Sequence, residues 1–146
     1  MRIRKLAPTE VQVFIELIRL FKRVFQTEPP GMQPSSGLAK LLRSENFLVF
    51  VAEEDGAVVG GLTVDILRQY HRGRPWGYIR DLAVEETHQR RGIGRSLVEA
   101  VKAFGRTNGL DDIFVQADQV DDPILAFYRK TQPDGEAAVV HFYYLL

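Results

Sequence analysis

Apolar residues along this chain follow two different periods, and the period predicts which segments are helices and which are strands. Helical spacing, with one apolar stripe per segment, appears over 11–25, 38–42 and 93–104. A short helix is also expected from Asp122 to Lys130, since Asp122-Pro123 is typical of a capping residue before a first-turn proline. Strands are predicted at short apolar runs, which cover 1–6, 47–52, 57–67, 77–84, 113–117 and 137–144.

The links between these segments predict how the strands pair. Asp55-Gly56 lies between two apolar runs and is a hairpin signal, and the polar stretch 68–76 indicates a second hairpin. The three middle strands should therefore be antiparallel. The helix after the third of them makes a crossover, so the strand at 113–117 should run parallel to that third strand. We predict an α/β (α+β) fold, with a mixed, mostly antiparallel sheet of six to seven strands and helices on both faces.

Local signals also mark helix ends and one special glycine pair. Thr9 is a possible cap for the first helix, and Asn108-Gly109 is expected to close the helix that contains 93–104. Gly60-Gly61, inside a predicted strand, indicates a bulge or a close approach of another part of the backbone.

Composition narrows the classes of function. A chain of 146 residues with 45% hydrophobic and 26% charged residues is expected to form a single domain, 1–146. Its formal net charge is zero, which argues against a nucleic-acid partner or an anionic membrane surface. There is no cysteine, and the three histidines lack ligand spacing, so we expect no metal. No apolar run is long enough to span a membrane and no signal peptide is apparent, so we expect a cytoplasmic protein.

The segment with the most specific chemistry runs from Gln89 to Ser96, between a predicted strand and a predicted helix. Its glycines let the backbone approach a bulky anion, and the amides of a helix start attract a phosphate. Three arginines add positive charge. The chain lacks the P-loop pattern, and Leu97 stands where the dinucleotide fingerprint needs a third glycine. A glycine-rich helix start with solvated arginines is the simpler alternative.

The pattern Gln-x-x-Gly-x-Gly, directly after a strand ending Asp81-Leu82-Ala83-Val84, resembles the acetyl-coenzyme A motif of the GNAT superfamily. The resemblance implies that Leu82, Ala83 and Val84 hold the pantetheine arm of acetyl-coenzyme A. It also implies that the loop holds the pyrophosphate, through residues Gln89, Arg90, Arg91, Gly92, Ile93, Gly94, Arg95 and Ser96. Denser agreement from Tyr78 to Lys130 is similar to the type I aminoglycoside 3-N-acetyltransferases. The implied reaction is acetyl transfer to an amine of a small molecule.

Amine acetylation needs a base for the attacking nitrogen, donors for the oxyanion and a proton for the leaving thiolate. Asp81 is the candidate base, because a carboxylate predicted to share a strand face with Ile79 and Ala83 would be partly buried, which raises its pKa. The alternative is an aspartate that pairs with a neighbouring arginine such as Arg80, or that accepts hydrogen bonds from backbone amides. Tyr128 is the candidate acid by resemblance, although it could equally be a core aromatic residue. The oxyanion donor is expected to be a backbone amide near Leu82 or Ala83. Without a cysteine nucleophile, direct transfer in a ternary complex is the natural mechanism.

A group of acids is the candidate site for a cationic acceptor; it consists of Glu28, Asp118, Asp121 and Asp122. Helix capping alone could explain Asp122, and the same could hold for a neighbour. The chain departs from the aminoglycoside enzymes at 131–135 and at Tyr143, so the acceptor stays open between an aminoglycoside and another amine, such as a polyamine or a protein lysine. A non-catalytic acyl-coenzyme A sensor is a further alternative. A homodimer is possible by resemblance.

Overall fold

The computed structural model describes residues 1–26, 31–71 and 73–146. These divide into two compact units, residues 1–115 and 116–146. The first unit contains five strands, β1 Arg2–Lys5, β2 Phe47–Glu54, β3 Ala57–Leu67, β4 Trp76–Val84 and β5 Asp112–Val115. Its three α-helices are α1 Val11–Phe25, α2 Ser35–Arg43 and α3 Ile93–Asn108, and a single 3₁₀ turn spans Glu86–His88. The second unit contains α4, Asp122–Lys130.

The sheet is mixed and its strands lie in chain order, β1-β2-β3-β4-β5. The pairs β1–β2, β2–β3 and β3–β4 are antiparallel, whereas β4 and β5 are parallel, as the crossover through α3 predicts. The predicted count of six to seven strands is wrong for the described residues, which form five. The missing strand is the one predicted at 137–144, where the chain has no regular secondary structure.

Both faces of the sheet are covered by helices, as predicted. On one face α1 and α2 pack against side chains such as Val49, Val51 and Ala83. On the other face α3 packs against Leu62, Ile79 and their neighbours. Each strand therefore alternates between two apolar layers, which explains why β2 is a near-continuous apolar run.

The turn and glycine predictions depend on unusual backbone angles or close contacts. Asp55 and Gly56 both have positive φ, 51° and 80°, which suits the tight turn between β2 and β3. At Gly61 an added Cβ would lie 2.5 Å from Leu17 Cδ1 and 2.7 Å from the Phe50 carbonyl oxygen. The close approach predicted for the glycine pair is therefore confirmed, and glycine at this position lets α1 pack directly on β3.

The observed caps agree with the sequence predictions at one helix end and differ at two. Gly109 closes α3 with a φ of 72°, as expected of a left-handed cap. Thr9 is not the cap of α1; the preceding residue is Glu10, which makes no capping hydrogen bond from its side chain. In α4 the cap is Asp121, whose carboxylate accepts from the Ile124 amide, and Asp122 is already inside the helix. Two adjacent aspartates before a proline allow either register, because proline is tolerated throughout the first turn.

Candidate active site

The carboxyl-terminal half of β4 has a strand on one side only. β4 pairs with β5 from Trp76 to Ile79, and with β3 as far as Val84. Among the described residues of the first unit, Arg80–Val84 therefore have no strand partner on the side where β5 lies. A run of backbone facing away from its one neighbouring strand can hydrogen-bond an extended ligand.

Asp81 lies where the register of β3 and β4 shifts. Leu62 faces Leu82 and Val64 faces Ile79, so Thr63 alone stands opposite two residues, Arg80 and Asp81. This is a β-bulge in β4, a feature that redirects side chains and often lies beside active sites. The prediction that Asp81 shares a face with both Ile79 and Ala83 is wrong, because the extra residue puts Ile79 and Ala83 in opposite apolar layers.

Burial dominates the electrostatics of Asp81. The residue is half-buried, and desolvation of the carboxylate raises its pKa above the ordinary 3.8. The positive charge of Arg80 and the Thr63 hydroxyl lower the pKa in part, and Asp65 raises it. Arg80 is not an ion-pair partner of Asp81, since its Nε donates to Asp65 Oδ2 at 2.7 Å. A carboxylate with a raised pKa in a half-buried position is suited to accept a proton from an amine.

The ladder between β3 and β4 decides which backbone groups face the open side of β4. The Glu85 amide donates to the Val59 carbonyl at 2.9 Å, so by alternation Ala83 exchanges hydrogen bonds with Gly61. Leu82 and Val84 then point their amides and carbonyls away from β3. Of the three residues predicted to hold a pantetheine arm, Leu82 and Val84 have outward backbone groups, and Ala83 is engaged in the sheet.

Gln89 contacts this edge directly. Its side-chain amide donates to the Val84 carbonyl at 3.0 Å, which fixes the chain between the end of β4 and the loop before α3. The structure thus brings the strand edge and the glycine loop together through Gln89. The Gln89 side chain thus contributes to the local structure, and its contact with a pyrophosphate stays a prediction.

The loop before α3 ends in an unusual backbone conformation, and the first amides of the helix lack helical acceptors. Gly92, at the N-cap, has a φ of 81° and an added Cβ there would meet nothing within 4 Å. The first helical bond runs from the Ser96 amide to the Gly92 carbonyl, 3.0 Å. The amides of Ile93, Gly94 and Arg95 precede it and have no acceptor within the helix. Together with the positive end of the helix dipole, they can bind a phosphate group.

The three arginines of the loop differ in their partners. Arg91 makes a two-point contact with Glu54, at 2.7 and 3.0 Å, and His88 Nε2 lies 3.2 Å from the same carboxylate. Arg90 and Arg95 are exposed. Glu54, which was not predicted as a site residue, lies beside the β2–β3 turn and is far from the loop in sequence. Local pattern carries no signal for such a pair.

The acids of the second unit have local roles. Asp118 accepts from the Val120 amide at 3.1 Å, and Asp121 caps α4. Asp122 is exposed in the first turn of that helix. Glu28, the fourth acid of the predicted acceptor site, lies outside the described residues. Helix capping therefore explains the presence of Asp121, and not that of Asp122.

Tyr128, the candidate acid, lies on α4. Its ring contacts that of Phe127, with 4.9 Å between centroids, and its carbonyl accepts from the Thr131 hydroxyl at 2.6 Å. Phe142, Tyr143 and Tyr144, in the segment predicted to be the last strand, are between 72% and 86% exposed.

Two features are absent from residues 1–26, 31–71 and 73–146. No cluster of three or more His, Cys, Asp or Glu side chains that could hold a metal occurs among these residues. None of the helices they form has the length and apolar character needed to cross a membrane.

Comparisons with known proteins agree with this geometry. Residues 13–132 match the Acetyltransferase (GNAT) family. An aminoglycoside acetyltransferase from an uncultured soil metagenomic sample, solved in complex with sisomicin, is 47% identical, with a TM-score of 0.96 over 99% of this chain and 95% of that chain. A second soil metagenomic aminoglycoside acetyltransferase is 34% identical, with a TM-score of 0.92 over 99% and 97%.

A curated relative gives a different acceptor. The N-alpha-acetyltransferase of Sulfurisphaera tokodaii is 27% identical over 97% of this chain and 85% of its own length. The family match covers most of the chain, and in the first unit the half of β4 that pairs with β3 alone is followed by the glycine-containing start of α3. The chain therefore belongs to the GNAT acetyltransferase family and is an N-acetyltransferase.

Proposed function

We propose that this acetyltransferase moves the acetyl group of acetyl-coenzyme A directly onto the 3-amino group of an aminoglycoside, in a ternary complex. Asp81 takes the proton of the attacking amine, and Tyr128 protonates the leaving thiolate. The chain acts as a single catalytic domain, 1–146, with a homodimer in the cytoplasm as the expected state.

The observation that carries the proposal is the position of Asp81. It is a half-buried carboxylate on a bulge, beside a strand edge that can hold an extended ligand. An amine at physiological pH is mostly protonated and cannot attack a carbonyl, so a base next to the thioester is the first requirement. The raised pKa of Asp81 makes it a stronger base than an exposed aspartate.

The residues of the first unit fit acetyl-coenzyme A, the acyl donor of GNAT enzymes. The free amides of Ile93, Gly94 and Arg95 at the start of α3 suit the pyrophosphate, with Arg90 and Arg95 as exposed cations. The outward amide and carbonyl of Leu82 and the outward amide of Val84 suit the pantetheine arm, while the Val84 carbonyl accepts from Gln89. The Leu82 amide, next to Asp81, is the natural donor to the oxyanion.

The acceptor is proposed from similarity together with charge. The metagenomic relative at 47% identity was solved with sisomicin, a polycationic aminoglycoside. Acids on the second unit, Asp118 and Asp122, are exposed and could attract such a ligand. Glu28 and Asp121 are the other two acids that we propose for binding the acceptor.

A second candidate acceptor is the α-amino group of a peptide. It is favoured by the similarity to the N-alpha-acetyltransferase of Sulfurisphaera tokodaii. Such an acceptor would use the same base, since an α-amine also needs to lose a proton.

An acceptor panel separates these alternatives. Thiol release is measured with sisomicin, gentamicin, spermidine, a lysine peptide and a peptide with a free N-terminus, each at the same concentrations. The proposal expects kcat/KM to be highest for the aminoglycosides, and NMR of the product to place the acetyl group on the 3-amino nitrogen. A higher kcat/KM for the peptide with a free N-terminus would identify an α-amine, and not an aminoglycoside, as the acceptor. No thiol release with any amine would favour an acyl-coenzyme A sensor.

The role of Tyr128 has its own test. Tyr128→Phe keeps the ring and removes the hydroxyl, so loss of the general acid should lower kcat by about a hundredfold. Phe127→Leu, at the neighbouring ring, is the control for packing on α4 and should retain most of the activity. An unchanged kcat in Tyr128→Phe would remove this residue from the mechanism.

A further inference from the structure

One buried polar atom stands out against the otherwise satisfied interior. Thr63, in the middle of β3, is only 4% exposed. Among the described residues its Oγ1 is the one buried side-chain nitrogen or oxygen without a hydrogen bond of standard geometry. Buried hydroxyls normally have a partner, because leaving one unpaired costs its full desolvation. The position therefore calls for a polar neighbour.

The bulge of β4 supplies that neighbour. Thr63 is the single residue opposite Arg80 and Asp81. It pairs on its other side with Val49, which belongs to the layer under α1 and α2, so the Thr63 side chain lies on that face of the sheet. Asp81 precedes Leu82, which packs in the α3 layer, so the Asp81 side chain lies on the same face as Thr63 and its carboxylate can accept from the hydroxyl.

We propose that Thr63 is a positioning residue, whose buried hydroxyl donates to one oxygen of the Asp81 carboxylate and leaves the other oxygen for the acceptor amine. This inference rests on the proposed role of Asp81 as the base. A hydroxyl hydrogen rotates freely, so it can be directed at a carboxylate oxygen on the same face of the sheet. A carboxylate fixed through one oxygen keeps its second lone pair aimed at one point, which is what proton transfer requires.

The bond has a definite electrostatic sign. A donor to the ionised carboxylate favours the charged form, and the Thr63 hydroxyl accordingly lowers the pKa of Asp81 against the larger effect of burial. Two charged groups also act on the pKa of Asp81. Arg80 lowers this pKa and Asp65 raises it. Neither is changed by a substitution at Thr63, so the effect of the hydroxyl can be isolated.

Two variants test the proposal. Thr63→Val replaces the hydroxyl by a methyl group of the same shape, and Thr63→Ser keeps the hydroxyl and loses the methyl. The titration of Asp81 is followed by ¹³C NMR of labelled aspartate carboxyls, with the resonance assigned by its loss in Asp81→Asn. We expect the pKa of Asp81 to rise in Thr63→Val and to stay close to wild type in Thr63→Ser.

Kinetics provide the second readout. In Thr63→Val kcat should fall by about tenfold, with the acid limb of its pH profile moved to higher pH and KM for both substrates little changed, because the base is present but less well held. Thr63→Ser should retain most of the activity. Both variants are first checked for a wild-type circular dichroism spectrum and cooperative unfolding.

The outcomes separate this inference from the proposed function. If Thr63→Val leaves the Asp81 titration unchanged, or if both variants lose the same activity, Thr63 only fills space and the proposal is overturned. If Asp81→Asn is fully active, the proposed mechanism fails, while the NMR comparison still shows whether Thr63 holds Asp81.

Discussion

The two halves of β4 are consecutive in sequence but have different surroundings in the fold. Trp76–Ile79 lie between β3 and β5, with Ile79 only 2% exposed. Arg80–Val84 begin with a bulge, pair with β3 alone and contain a carboxylate with a raised pKa. The first half stabilises the sheet, since its backbone pairs with a strand on each side. The second half leaves backbone groups and a charge for a ligand.

This difference shows how a sheet can contain a reactive site without losing its core. The one extra residue of the bulge changes the alternation of side chains, so Ile79 and Leu82 both pack toward α3. Asp81 is then outside that apolar layer and can act as a base. A regular strand would have forced Asp81 into the layer that holds Ile79. The irregularity is therefore the structural reason that a carboxylate can be half-buried here.

The largest effect is expected from Asp81 itself. Asp81→Asn removes the base with little change of shape, so kcat should fall by about 10² to 10⁴-fold, or about 3 to 5 kcal/mol in the barrier. Affinity for acetyl-coenzyme A, measured by calorimetry, should stay near wild type. Asp112→Asn is the matched control, because Asp112 is an exposed acid opposite Trp76 in the paired half. Equal turnover in Asp81→Asn and wild type would exclude Asp81 as the base.

The paired side of the second half depends on a close helix contact. Gly61 stands opposite Ala83, and Gly61→Ala would bring a Cβ within 2.7 Å of the Phe50 carbonyl oxygen. Backbone has to move, and the free energy of unfolding in urea should fall by about 1–3 kcal/mol. Gly135→Ala is the control, since nothing lies within 4 Å of its added Cβ. A Gly61→Ala variant as stable as wild type would contradict the packing of α1 on β3.

The first half should respond to substitution in stability alone. Ile79→Val removes one buried methylene group and should lower the free energy of unfolding by about 0.5–1.5 kcal/mol. The pH profile of kcat/KM should keep its shape, because Ile79 faces the layer opposite to Ala83. Val120→Ala, at an 85% exposed position, should change stability by less than about 0.5 kcal/mol. A shifted acid limb in Ile79→Val would mean that the two halves are coupled.

The smallest expected effect concerns the stability cost of the site. Because burial raises the folded-state pKa of Asp81 above 3.8, its ionisation destabilises the folded state as pH rises through the raised value. Asp81→Asn cannot ionise and should be more stable than wild type at neutral pH. The advantage should vanish below pH 3.8, where wild type is protonated in both states. Urea unfolding at several pH values measures it, and a pH-independent difference would argue against desolvation as the cause.

Much of the first unit was predictable because its elements are decided locally. Apolar runs marked β2, β3 and β4 as strands, and Asp55-Gly56 marked their first turn, since both positions need a positive φ. Gly92 and the helix after it were recognised in the same way, from glycine chemistry and helical spacing.

The features that were not predicted depend on distant partners. The bulge at Arg80 and Asp81 exists only relative to the register of β3, so no window of sequence contains it. The contact between Arg91 and Glu54 joins residues from separate elements, and Thr63 looked like an ordinary β-branched strand residue. The apolar residues at 137–144 have strand character, but a strand also needs a partner edge, and sequence pattern alone does not provide one.

A crystal structure of the protein with coenzyme A and sisomicin tests the central claim most directly. The account predicts that the 3-amino group, which is the group to be acetylated, lies about 2.6–3.2 Å from the Asp81 carboxylate or one water away. The pantetheine arm should lie along the outward groups of Leu82 and Val84. An amine bound elsewhere, with Asp81 out of reach of the sulfur-bearing end of the coenzyme, would contradict it.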